Sequence, residues 1–129
     1  NKTPKGTFKL GLLYYRKDKN KNLQSNIKKV KIKKTMGWCN DQKNKKNYNK
    51  LIKINKKVKH EKLFRKDNKY DLFIPIQYNS TKSILGKGSC IFLHLTKNYK
   101  PTAGCIAVSK KDFLIMLKVI HPNTKIKVS

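Results

Sequence analysis

Short apolar or alternating stretches, separated by loops rich in lysine and asparagine, recur along the whole chain. Phe8 to Tyr15 (FKLGLLYY) has the aromatic and aliphatic content of a strand, with Gly11 as a bulge. Ile27 to Lys33 alternates in part and predicts a half-exposed strand, and Leu51 to Ile54 predicts a short one. His60 to Arg65 lacks β-branched residues and predicts a helical turn or two. Tyr70 to Tyr78 (YDLFIPIQY) reads as a strand, and Pro75, which has no N–H to donate, argues for a sheet edge or a bulge there. Cys90 to Leu95 is a strand whose period of two sets Cys90, Phe92 and His94 on one face and Ile91, Leu93 and Leu95 on the other.

The clearest helix begins at Ser109-Lys110-Lys111-Asp112, a capping-box-like start with Asp in place of Glu. Phe113, Met116, Leu117 and Ile120 then form an apolar stripe at helical spacing, which is core. Pro122 ends the helix, and His121 beside it stands where a cation caps a helix C-terminus. Thr124 to Val128 alternates as a final strand. The expected architecture is one domain over residues 1–129, mostly β, sandwich- or barrel-like, with one substantial C-terminal helix.

The formal net charge of +27 first suggests a nucleic-acid surface. Two features turn the reading. Of 33 basic residues only Arg16 and Arg65 are arginine, the residue preferred wherever bidentate readout matters. The lysines are also spread along the chain among asparagines and isoleucines, as a composition-wide bias would leave them. No specific nucleic acid is therefore expected, although anionic polymers, acidic wall material included, should be attracted. No run of 18 apolar residues exists, so no membrane span is expected. Cys39, Cys90 and Cys105 form no CxxC pair and show no ligand spacing with His60, His94 or His121, so no zinc site is expected. With an odd count, at least one thiol stays outside any intramolecular disulfide, and Cys105 is the candidate.

From Gly86 to Val108 an apolar run ends in His94, and a short polar loop leads to Thr102-Ala103-Gly104-Cys105 and a second apolar run. Gly104 permits a turn in which successive backbone N–H groups converge, as an oxyanion requires. An ordinary thiol is only about 3% thiolate at pH 7, so Cys105 needs a base or a cation, and His94 can supply either. The same residues also fit a plain core, with Cys105 packed as a small hydrophobe and His94 as a satisfied buried histidine.

The order of these residues resembles the L,D-transpeptidase (YkuD) family, whose signature is a histidine, a loop, then Ser/Thr-x-Gly-Cys and an aliphatic residue. His94, Thr102, Gly104, Cys105 and Ile106 fill those places, and Thr3 to Phe8 looks like the family's T-P-x-G-x-F segment. A compact bacterial branch is matched further by Gly37-Trp38-Cys39, Tyr48-Asn49, Tyr70-Asp71-Leu72, Gly88-Ser89 and Ile91 to His94. The departures are a short His94–Cys105 loop, Leu95 where glycine often follows the histidine, and Ala107 where Arg or Asn is common. They bear on substrate details more than on the nucleophile. By this resemblance the family's first strands would precede Asn1.

The resemblance implies acyl transfer on peptidoglycan stem peptides. Cys105 is the nucleophile, His94 its base, Gly104 and Cys105 N–H the oxyanion donors, and Thr102 an orienting residue. Trp38, Tyr48 and Asn49 would line the substrate cleft, though Trp38 fits the core equally well. Asp41, His60 and Glu61 fall in branch-specific segments where they could bind the substrate's amine, but structural salt bridges to the many lysines weigh more. Cys39 is expected to be buried and Cys90 to be packing. No cofactor or metal is implied, the protein is expected to be a monomer, and its location would be the cell envelope. Two other readings remain open: an L,D-carboxypeptidase or other peptide hydrolase on the same site, and a basic nucleic-acid- or wall-binding module without catalysis.

Overall fold

The computed structural model describes residues 4–96 and 105–129. Ten strands and one helix are defined among them: β1 (Gly6–Lys9), β2 (Leu13–Tyr15), β3 (Lys29–Lys31), β4 (Met36–Cys39), β5 (Leu51–Lys53), β6 (His60–Lys62), β7 (Leu72–Pro75), β8 (Phe92–Leu95), β9 (Ile106–Val108), α1 (Lys110–Leu117) and β10 (Lys125–Val128). A five-stranded sheet in the order β3-β2-β7-β8-β9 is central. The triplet β5-β4-β6 and the pair β1-β10 form two smaller sheets. The expected mostly β domain with one helix is what the chain forms.

The central strands are buried on both faces, and alternation sorts their side chains into two cores. Leu13, Leu72, Ile74, Leu93 and Leu95 pack with Phe113, Leu117 and Ile120, so α1 covers this aliphatic face. Tyr14, Phe73 and Phe92 point the other way, to a second core with Ile32, Leu63 and Tyr70, onto which Trp38 of β4 packs. Phe73 is the hub: its ring stacks on Tyr14 with centroids 4.8 Å apart and lies 4.6 Å from Phe92. Trp38 meets Phe92 edge to face at 5.1 Å. The β8 alternation read from the sequence holds, and it sends His94 to the aromatic face with Phe92.

Four expectations are corrected. Phe8 to Tyr15 is not one bulged strand but β1 and β2 in different sheets; the chain crosses at Gly11, whose N–H donates to the Pro75 carbonyl at 2.8 Å. A Cβ at Gly11 would stand 3.3 Å from that oxygen, which is why the crossing falls on a glycine. Pro75 ends a central strand rather than lying on an edge. β2 pairs with β7 only at Leu72 and Phe73, and beyond them the neighbour becomes the Lys9–Gly11 segment, which takes the Pro75 carbonyl and needs no N–H from it. His60 to Lys62 is strand β6, not helix, because pairing with β4 outweighs the local preference. His121 caps nothing: α1 closes at Leu117 with Lys118 as its cap, and the His121 N–H donates to Thr124 Oγ1. Strand β4 itself was not anticipated.

The helix start is as read. Ser109 Oγ accepts from the Asp112 N–H at 3.1 Å, satisfying one of the otherwise unpaired donors of the first turn. Ser109→Ala is expected to lower stability by about 1 kcal/mol in urea unfolding, and Ser109→Gly by only a few tenths. Equal losses for the two would contradict a capping role.

Candidate active site

β8 and β9 are parallel neighbours, with Leu93 opposite Ile106 and His94 opposite Ala107. Facing residues of such a pair share a face. Ile106 therefore joins Leu93 on the aliphatic side, while Cys105, two residues before Ala107, joins Phe92 and His94 on the aromatic side. A strand spacing of about 4.8 Å and a two-residue rise of about 6.6 Å set the two Cα atoms about 8 Å apart, within reach of converging side chains. The distance that spans 11 residues in sequence is closed by one strand pairing.

The Cys105 thiol donates to the Cys90 carbonyl at 2.9 Å and accepts from the Phe92 N–H at 3.4 Å. Burial pushes this thiol up from its ordinary range, while the Phe92 N–H and the Lys69 ammonium pull it part of the way back. His94 is only 2% exposed. Its Nδ1 lies 2.8 Å from the Leu95 carbonyl, an oxygen that can only accept, so Nδ1 carries the ring proton of the neutral form. Nε2 is then the basic nitrogen, and it has no hydrogen-bond partner among the described residues. Burial pulls the His94 pKa down, partly offset by the Leu95 carbonyl. Thiol raised and imidazole lowered, the two are both neutral at pH 7. This arrangement suits a general base that takes the proton as the sulfur attacks, rather than a standing thiolate–imidazolium pair.

Tyr70 packs against His94. It is 2% exposed, its ring meets the His94 ring edge to face at 5.8 Å, and its hydroxyl donates to Glu61 Oε1 at 3.1 Å. Lys69 and Arg65 lie over the same ring at 5.1 and 5.5 Å. Burial and the neighbouring Glu61 charge push its phenol far up. The Tyr70-Asp71-Leu72 segment stood out in the sequence, but nothing there tied the phenol to a glutamate nine residues earlier. Cys90 sits at φ +59° on the same face, and burial raises its thiol to about 12. That is the behaviour of a packed side chain.

Trp38 and Asn49 do come together. Trp38 Nε1 donates to Asn49 Oδ1 at 2.9 Å, and Asn49 Nδ2 donates to the Tyr78 and Asn79 carbonyls. With Tyr14 and Phe92 they line a cavity of about 240 Å³. Tyr48 is buried beside a separate hollow near Ser89, its hydroxyl reached by Gln42. Asp41 caps the Lys43 and Lys59 N–H groups, His60 Nδ1 bonds the Val58 carbonyl, and Cys39 is fully buried. Thr102 and Gly104 lie outside the described residues. No three His, Cys, Asp or Glu side chains among the described residues are placed to hold a metal ion.

The family model of the YkuD L,D-transpeptidase catalytic domain matches residues 1–128. The chain belongs to that family. Its members act on peptidoglycan. No curated protein and no solved structure matches the chain. Among the described residues of this YkuD domain no helix is long and apolar enough to cross a membrane.

The buried neutral His94 has a consequence for stability. Its folded pKa lies below the unfolded value of about 6.5, so between the two the unfolded chain holds a proton that the folded one does not. Its contribution is complete above about pH 6.5 and is lost as pH falls through the folded value. Urea midpoints are therefore expected to drop between pH 7.5 and 5.5, and His94→Gln to flatten that slope. An unchanged slope in the variant would show that His94 is not held neutral.

Proposed function

We propose that the chain is a cysteine acyltransferase acting on peptidoglycan stem peptides by the L,D-transpeptidase reaction. The reading is carried by one observation: Cys105 and His94 share a face of adjacent parallel strands, and His94 commits Nδ1 to the Leu95 carbonyl, which leaves Nε2 as the base. In the first step His94 Nε2 takes the thiol proton as Cys105 Sγ attacks the carbonyl of the L-centre of the diamino acid. The developing oxyanion is met by the backbone N–H groups of Gly104 and Cys105, with Thr102 orienting the histidine or the peptide. The C–N bond then breaks, the proton passes from His94 to the leaving amine of the terminal D-alanine, and a thioester remains. An acceptor amine attacks the thioester carbonyl and gives its proton to His94; the C–S bond then breaks, and His94 returns the proton to the Cys105 sulfur to regenerate the thiol. Trp38 and Asn49 form one wall of the substrate approach, and Tyr48 a more distant part of it. The protein acts as a monomer in the cell envelope, where its substrate lies.

A carbapenem, which presents a reactive acyl bond to such a thiol, tests this directly. Intact mass should show one adduct on the wild type and none on Cys105→Ala, and His94→Ala should slow acylation about 10²- to 10⁴-fold. An adduct that survives Cys105→Ala, or an unchanged rate without His94, would reject the reading. Products from purified muropeptides then tell a cross-link from released D-alanine.

A further inference from the structure

The chain carries only six acidic residues against 33 basic ones, so where each carboxylate goes is informative. Asp18 accepts from Nε and Nη2 of Arg16, and Asp67 from Nε and Nη2 of Arg65 at 2.9 and 2.6 Å. Asp71 pairs with Lys19, Asp41 caps two backbone N–H groups, and Asp112 sits in the first turn of α1. Glu61 differs. It stands on β6 opposite Trp38, with 28% of its side chain exposed. Oε1 accepts from the Tyr70 hydroxyl and, at 3.3 Å, from an Arg65 whose shorter bonds go to Asp67. Oε2 has no hydrogen bond among the described residues. Tyr70 carries this carboxylate at one end and the His94 ring against its edge.

The charge of Glu61 is felt at both reacting groups: it raises the proton affinity of His94 and of Cys105, and Lys69 lowers both. A charge that moves both groups the same way does not drive the proton from one to the other. It remains available to a charge on the substrate, and in a chain of net charge +27 it is the carboxylate whose field reaches both His94, through Tyr70, and the Cys105 thiol. We infer that Glu61 is a specificity-determining residue that draws a cationic group of the acyl donor, a peptide whose acyl residue ends in a free side-chain ammonium, to the rim of the Cys105 site. The substrate class rests on the acyl-transfer reading; the attraction of a cation to this rim does not.

Two measurements separate them. The first needs no acyl chemistry: Cys105 is modified with a cationic and an anionic methanethiosulfonate of the same reach, and its rate is read by peptide mass. Glu61→Gln keeps an acceptor for Tyr70 but loses the charge, and should lower the cation-to-anion rate ratio roughly fivefold. Glu61→Asp should keep most of the ratio, and Asp18→Asn all of it. A ratio unmoved by Glu61→Gln, or moved equally by Asp18→Asn, overturns the inference. The second compares acylation by two stem peptides that differ only in acetylation of the side-chain amine. The wild type should favour the amine roughly tenfold and Glu61→Gln should not. Equal slowing of both donors by Glu61→Gln would show a structural role and overturn the inference. If neither donor acylates the wild type, the acyl-transfer reading fails, and the first measurement still decides whether this rim draws a cation.

Discussion

A histidine near the middle of a central strand, 2% exposed, has two ring nitrogens to satisfy and little water to do it with. Leaving both without partners would cost about 1–3 kcal/mol each. The Leu95 carbonyl takes one, and it can do so only as an acceptor. That bond fixes the tautomer and turns Nε2 into the basic atom. A backbone carbonyl thus holds the His94 ring in one tautomer without bringing a second charge into the core. The neutral resting pair follows from this and from burial.

Two packing facts keep that geometry in place. The five-stranded sheet is covered on both faces, so a slip of one residue in β8 would exchange Leu93 and Leu95 for Phe92 and His94. Both cores would be lost at once. Tyr70 then braces the histidine against movement along the sheet, since its own ring is held between Phe73, Phe92 and the bond to Glu61. The ion pairs around it, Glu61–Arg65 and Arg65–Asp67, are partly exposed and add little stability by themselves. Of these groups Glu61 and Arg65 act on His94, and Glu61 with Lys69 acts on the Cys105 thiol.

How much of this the sequence carried depends on the range over which each feature is decided. The cap at Ser109, the stripe on α1 and the alternation of β8 are settled within a few residues, and all three were legible. Pro75 and Gly11 were read as neighbours of a bulge or an edge, because each was judged on its own segment; their meaning lies in the contact between them. His60 to Lys62 lacks strand-forming residues and is a strand only because β4 pairs with it. The pairing of Cys105 with His94 was read from a motif, and the register of β8 and β9 sets the two on one face. Glu61 was weighed as a binder of the substrate's amine and, ahead of that, as a salt bridge, which it makes; its link through Tyr70 to His94 is a three-dimensional fact.

The central claim is the protonation state of His94, and nitrogen NMR of the labelled imidazole reads it most directly. At pH 7 the ring should be neutral with the proton on Nδ1, Nε2 should show the shift of an unprotonated nitrogen, and titration should place its pKa below 6.5. A ring protonated on both nitrogens at pH 7, or one carrying its proton on Nε2, would contradict the account.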